Sequence, residues 1–163
     1  MEKSIIVING TGGSGKDTFV SFCSKYANVF NFSSIDKIKE VAKMMGWDGG
    51  KTEKDRKFLA DLKTLATEYN DMPYNSIKDA INEFYNNNSK LMFIHVREPK
   101  EIDRIVKTYN AKSVLIKRKN YEIIKSNSSD ANVENYDYDY VVENDTLEKL
   151  EEDAKIFVSE FSN

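Results

Sequence analysis

The sequence predicts an α/β fold in which a mostly parallel sheet carries helices on both faces. Three observations predict it. Ile5-Ile6-Val7-Ile8 is a β-branched run without alternation, the pattern of a strand buried on both sides. Strand-like runs then alternate with helix-period segments, which is the order that βα units produce. The first strand passes into the first helix through Gly10-Thr11-Gly12-Gly13-Ser14-Gly15-Lys16-Asp17-Thr18, which holds four of the chain's seven glycines. The length of 163 residues fits one domain with a sizeable core.

The elements follow in order. Lys16 to about Asn28 carries Phe19, Val20, Phe22, Cys23, Tyr26 and Ala27 as a helical stripe. Val29 to Ser33 is a short second strand. Ser34 is placed to cap a helix running to about Met45, with Ile35, Ile38, Val41 and Ala42 on one face. Gly46 to Gly50 interrupts it, and a helix over 53–70 follows. Pro73 suits the start of a third helix, which runs to about Tyr85. These helices form a block at 34–87, inserted on one side of the sheet between the second and third strands. Leu91 to Ile94 with Val96 is a buried strand, Pro99 to Tyr109 a helix and Ser113 to Ile116 a strand. The polar segment 119–135, rich in Asn and Ser, reads as a mobile loop. Tyr138 to Val142 is the last strand and Thr146 to Phe161 the last helix.

Bulk properties narrow the function classes. Hydrophobic residues make up 40% and charged residues 31%, which argues against a wholly disordered chain. The net charge of -3 disfavours a general nucleic-acid binder. The charge is nonetheless uneven: residues 97–125 carry nine Lys/Arg against four acids, and 126–163 carry two Lys against eleven acids. A locally basic surface can therefore meet a small anion. Cys23 is the only cysteine, so no intramolecular disulfide forms, and it reads as a core thiol. The Ile5–Ile8 run is too short for a signal h-region or a membrane span. The expected compartment is the cytoplasm, with no membrane or nucleic-acid partner.

The glycine–lysine loop carries the chemistry. It satisfies G-x-x-x-x-G-K between a buried strand and a helix, the context of a phosphate-binding loop. Glycines such as Gly12, Gly13 and Gly15 let backbone N–H groups, that of Ser14 among them, converge on phosphate oxygens. The helix N-terminus adds unpaired donors and the positive end of its dipole. Lys16 would reach the β- and γ-phosphates of ATP. Asp17 stands where the motif has Ser or Thr, and Thr18 comes one later. A carboxylate beside phosphates needs a cation between them, so Asp17 is expected to bind Mg²⁺ directly or through water, or else to hold the loop. Thr18 is the other candidate for Mg²⁺, or it touches a phosphate.

The Gly-Lys-Asp-Thr form of this loop resembles that of phage-type deoxynucleoside monophosphate kinases, within the wider P-loop nucleoside monophosphate kinases. Three further segments resemble that family. They are Phe32-Ser33-Ser34-Ile35-Asp36-Lys37-Ile38-Lys39-Glu40, Phe93-Ile94-His95-Val96-Arg97-Glu98-Pro99, and Tyr138-Asp139-Tyr140-Val141-Val142-Glu143-Asn144-Asp145. They occur in the family's order and span nearly the whole chain. The resemblance implies a three-layer α/β/α P-loop NTPase fold of the nucleotide kinase type. It makes 34–87 a helical acceptor-binding insert and 119–135 a lid-like loop. The implied activity is ATP-dependent, Mg²⁺-assisted phosphoryl transfer to a nucleoside or deoxynucleoside monophosphate. Transfer to another small phosphorylated metabolite, or nucleotide binding without turnover, are the alternatives. His95 departs from the family, which has an acidic residue there.

Candidate roles follow from position. Arg97 comes just after a strand, at the sheet edge where α/β proteins bind ligands, and is a candidate phosphate ligand; otherwise it pairs with Glu98 or Glu101. Arg118 lies in the basic run Lys117-Arg118-Lys119 before the lid-like loop and is the second candidate clamp on the transferring group. Asp36, Lys39 and Arg56 are the acceptor-side candidates, each with a solvated helix face as its plain alternative. His95, the only histidine, would contact phosphate or a metal-bound water, or serve as a hydrogen-bonded structural residue. Trp47 reads as helix-end packing ahead of base stacking, and Gly46 to Gly50 as a hinge or tight corner.

Overall fold

The computed structural model describes residues 2–119 and 132–162. Its strands are β1 (Ser4–Asn9), β2 (Val29–Ser33), β3 (Leu91–His95), β4 (Lys112–Arg118) and β5 (Tyr140–Asn144). Its helices are α1 (Lys16–Cys23), α2 (Asp36–Met44), α3 (Glu53–Asn70), α4 (Met72–Asn86), α5 (Pro99–Tyr109) and α6 (Leu147–Glu160). The strands form one sheet in the order β2-β3-β1-β4-β5, and each adjacent pair is parallel. Parallel pairing sends every connection back across a face of the sheet. All five C-terminal strand ends therefore meet along one edge, and the chain from β3 to β4 must jump over β1.

The alternation of side chains along the strands divides the core into two layers. On one face Ile6, Ile8, Phe93 and Val114 pack with Phe19 of α1 and with Leu150 and Phe157 of α6. On the other, Ile5, Val7, Met92 and Ile94 pack with Ile77, Ile81 and Phe84 of α4 and with Ile102 and Ile105 of α5. Both faces of β1 and β3 are thus covered, which is why Ile5–Ile8 and Leu91–Ile94 have no polar position. Among the helices of the 34–87 block, α4 lies against the sheet and α3 contributes no fully buried residue. Lys3 fastens the end of α4. Its ammonium donates to the carbonyls of Phe84 (2.7 Å), Asn87 (2.7 Å) and Ser89 (2.6 Å), closing orphan acceptors at the helix C-terminus.

Several boundaries differ from the sequence expectation. The first helix stops at Cys23, not near Asn28, because Lys25 and Tyr26 turn back to the carbonyls of Phe22 and Cys23 through tighter bonds. Ser34 does not cap α2. Its N–H extends the β2–β3 ladder to the His95 carbonyl (3.1 Å), and Ile35 takes the cap position without a side-chain bond. The last strand begins at Tyr140, because the Asp139 N–H donates to the Ser113 hydroxyl (3.0 Å) and not to a β4 carbonyl. The Asp139 carboxylate accepts from the Ser113 N–H (2.8 Å) and hydroxyl (3.1 Å), setting the start of the β4–β5 pairing. Residues 120–131, the bulk of the expected lid-like loop, lie outside the described residues; 132–135 form a turn.

The second glycine group resolves into a helix stop. Gly46, at φ 102°, follows the last residue of α2's cap. Its N–H bonds to the Lys43 carbonyl (3.1 Å) and the Trp47 N–H to that of Ala42 (3.0 Å). This is the paired Schellman pattern that requires a left-handed residue. Trp47 is half-buried and donates its indole N–H to the Gly50 carbonyl (3.1 Å), in line with helix-end packing.

Cys23 is fully buried under α6, and burial pushes its thiol up to about 12. Its side chain should therefore resist alkylation at neutral pH in folded protein and react on addition of denaturant. Rapid labelling of the folded chain would contradict the packing of α1.

Candidate active site

The site grows from the end of β1. Asn9, fully buried, closes the strand and turns its carboxamide toward three partners. Its oxygen accepts from the Gly10 N–H (2.9 Å). Its nitrogen donates to the Arg97 carbonyl (3.1 Å) and to the Tyr138 hydroxyl (2.9 Å), and that hydroxyl donates in turn to the Val133 carbonyl (2.6 Å). One side chain thus ties the start of the glycine loop to the exit of β3 and to the segment that leads into β5.

The loop itself is tightly supported from below. A Cβ on Gly10 would lie 2.5 Å from the Ser14 hydroxyl oxygen and 2.8 Å from the Ile116 carbonyl, so only glycine fits there. Gly15, at φ 96°, is the residue before α1, and a Cβ on it would run into the Asn144 carboxamide. Asn144 reaches from the end of β5 to donate to the Ser14 carbonyl (3.0 Å). Gly12 and Gly13 form the exposed crest of the loop, with Gly13 at φ 76°. Ser14 is buried, and its hydroxyl has no hydrogen-bond partner among the described residues.

Lys16, Asp17 and Thr18 form the first turn of α1. Lys16 and Thr18 are half-buried, while the Asp17 side chain is 90% exposed. Across from them, His95 ends β3 opposite Ile8 of β1, and Arg97 follows two residues later, half-buried. His95 Nε2 lies 2.6 Å from the Asn31 carboxamide oxygen on β2, and its Nδ1 lies 4.0 Å from Asp17 Oδ1. The ring thus lies between Asn31 on β2 and Asp17 on α1.

Burial is the first cause that holds the His95 imidazole down to about 4; the positive charge of Lys16 adds to it, the Asp17 carboxylate opposes it and Arg97 reinforces it. These charges show that Lys16, Asp17, His95 and Arg97 share one neighbourhood. A pH dependence follows. The folded chain keeps His95 neutral where the unfolded chain, near 6.5, takes up a proton. This share of stability is complete above pH 6.5 and is lost as pH falls toward 4, in all about 3 kcal/mol. Urea unfolding between pH 7 and 4.5, with chelator present, should show a steeper acid loss for the parent chain than for His95→Gln. Parallel curves would contradict it.

The other expected residues are dispersed. Arg118 ends β4 on the same edge of the sheet, exposed and in register with Asn144. Asp36 opens α2, but its carboxylate accepts from the Ser33 N–H (3.1 Å), so it fixes the β2–α2 turn. Lys39 and Arg56 are exposed on α2 and α3. The structure thus brings Lys16, Asp17 and Arg97 together and leaves Lys39 and Arg56 on separate helices.

Sequence reasoning gave no role to Asn9, Asn31, Tyr138 or Asn144. Asn9 had a signal: it is the one polar residue directly between an apolar strand and a glycine loop. The other three meet their partners only through strand pairing. Mg²⁺ takes oxygen ligands in near-octahedral geometry. Asp17 and Thr18 both offer oxygen and would be the Mg²⁺ ligands, whereas the His95 imidazole that faces Asp17 offers a nitrogen, which Mg²⁺ takes poorly. Among the described residues no helix is long and apolar enough to cross a membrane.

Comparison with known proteins places this geometry in a fold. No family model matches the chain, and no curated protein matches it. Solved structures do. Shikimate kinase from Bacteroides thetaiotaomicron is 17% identical with a TM-score of 0.51, over 98% of this chain and 98% of that one. TT1252 from Thermus thermophilus is 17% identical with a TM-score of 0.50, over 98% of each chain. At such identity the likeness is one of backbone architecture. Parallel strand order, two helical layers and a glycine loop opening α1 together make this chain a three-layer α/β/α P-loop fold.

Proposed function

We propose that the chain transfers the γ-phosphoryl group of ATP to a nucleoside or deoxynucleoside monophosphate. The observation that carries this reading is Lys16, which opens α1 directly after the glycine loop and shares its surroundings with Arg97 at the exit of the neighbouring strand. Phosphoryl transfer asks a protein for positioning and for neutralisation of charge on the moving group. The loop N–H groups and Lys16 hold the β- and γ-phosphates of ATP. Arg97 meets the transferring group from β3, and Arg118 approaches from the end of β4. The helices of the 34–87 block, with Lys39 and Arg56 exposed, receive the acceptor, while Asp36 shapes the turn that leads to them. The acceptor oxygen is already anionic, so no residue need remove a proton from it.

The test is ADP release from ATP and a divalent cation, measured with a panel of nucleoside and deoxynucleoside monophosphates. Release that depends on one of them is the expected result. Nucleotide binding without transfer to any acceptor would reduce the function to binding. Transfer only to a phosphorylated metabolite that is not a nucleotide would keep the fold's chemistry and change the substrate.

A further inference from the structure

We propose that the outer edge of β5 docks a second copy of this chain. The two β5 strands pair antiparallel about Val142, and two five-stranded sheets become one. β5 stands last in the strand order, and no described strand pairs with its outer side. Its sequence, Tyr-Val-Val-Glu-Asn, carries neither the proline nor the lysine that commonly blunts an edge. One bond sets the direction of its backbone groups. The Asn144 carbonyl accepts from the Lys119 N–H (2.9 Å), so it points toward β4. Backbone groups alternate along a strand. Tyr140 and Val142 therefore also face β4, while Val141 and Glu143 turn their N–H and C=O groups outward. Two outward residues with one between them are self-complementary. With a twofold axis at Val142, Val141 of each copy lies opposite Glu143 of the other, and each pair exchanges both of its N–H···O bonds. The same register keeps the two Glu143 carboxylates from standing directly opposite each other, where like charges repel.

The side chains beside this edge match a second copy as well. Val142 lies on the α6 side of the sheet, packed with the layer that holds Phe157, and Val141, on the other face, is 60% exposed. Lys149, Asp153, Ile156 and Glu160 recur at helical spacing on the flank of α6 that borders β5, and with the strand they line a groove of about 350 Å³. Ile156 is 50% exposed there. A twofold axis that pairs the strands stands perpendicular to the sheet, so it sets the two α6 helices antiparallel on one side of it. Lys149, near the start of one helix, then faces Glu160 at the end of the other, and the contact occurs twice. The exposed Ile156 side chains lie between these two charge pairs. A foreign strand could satisfy the edge backbone, but this chain satisfies both the backbone register and the opposite charges at the two ends of the helical stripe.

Sedimentation equilibrium of the full chain tests this first. The mass should move from the 18.8 kDa of one chain toward twice that value as concentration is raised. Amide hydrogen exchange over the same series should show Val141 and Glu143 gaining protection, with Val142, already turned to β4, gaining less. Val141→Pro removes an outward N–H and no bond to β4, a place where an edge strand tolerates proline. It should raise the dimer Kd about tenfold or more. Lys149→Glu and Glu160→Lys each set like charges face to face, so each variant alone should associate more weakly than the parent. An equimolar mixture of the two restores both opposite-charge pairs and should associate as the parent does. A parent chain that stays monomeric overturns the proposal and leaves the edge to a foreign strand. A dimer whose Val141 and Glu143 amides exchange at the monomer rate overturns it too, as does a mixture no tighter than its components. If Val141→Pro does not fold, the exchange series and the mixture decide.

Discussion

Replacing Lys16 with alanine is expected to abolish phosphoryl transfer and to weaken ATP binding while leaving the fold intact. The lysine stands at the first position of α1, where the loop N–H groups and the helix dipole already favour anions. It adds a full positive charge at the point where phosphate charge accumulates in the transition state. Losing one such preorganised donor costs about 10²- to 10³-fold in turnover. A hydrogen bond to a charged group is worth about 1.5–3 kcal/mol, which is tenfold or more in Kd. Turnover and calorimetric binding are measured together, and unfolding by heat serves as the control. An alanine variant that binds and turns over ATP like the parent would remove the basis of the proposed function. Equal losses in stability and binding would instead assign Lys16 a structural role.

Phe19→Ala is expected to cost about 3–5 kcal/mol of stability, the range for truncating a fully buried aromatic side chain. Phe19 has no exposed surface and stands three residues after Lys16 on the inward face of α1. Its ring meets Phe157 of α6 edge-on at 5.5 Å and Phe93 of β3 at 6.5 Å, and Phe93 stacks on Phe157 at 6.3 Å. Removing one member of this trio leaves a cavity at the place where α1, α6 and the sheet are joined. For a chain of this size the melting temperature should drop by about 10 °C. Urea denaturation gives the free energy directly. A loss below about 1 kcal/mol would mean that α1 is not seated on the sheet as described. ATP binding, measured well below the melting temperature, should weaken far less than in Lys16→Ala, because the loop is also held by Asn9 and Asn144.

Much of the architecture was legible in the chain. The unbroken apolar runs Ile5–Ile8 and Leu91–Ile94 demanded cover on both faces, and both faces are covered. Pro99 opens α5 where a missing N–H costs nothing, and α3 spans Glu53–Asn70, matching the expected 53–70. Its start is marked by a Thr52–Asp55 capping box, a purely local signal. Boundaries went astray where tertiary bonds competed with local preference. Ser34 has the chemistry of a helix cap, but its N–H still belongs to the β2–β3 ladder and the cap position falls one residue later, on Ile35. Tyr138 has the propensity of a strand residue, but the strand starts after it because the Asp139 N–H is claimed by the Ser113 hydroxyl.

The sequence by itself determined the glycine–lysine loop, because its requirements are local: glycine conformations, a helix N-terminus and a lysine at fixed spacing. It also determined the parallel sheet, because burial on both faces leaves a one-dimensional trace. Only the tertiary structure decided what surrounds the loop. Asn9 and Asn144 support it from β1 and β5, and His95 meets Asn31 and Asp17 from β3. His95 and Asp17 are seventy-eight residues apart in the chain, and His95 and Asn31 sixty-four. Their meeting depends on strand order and register, which arise from packing the whole sheet and leave no periodic mark on any one segment.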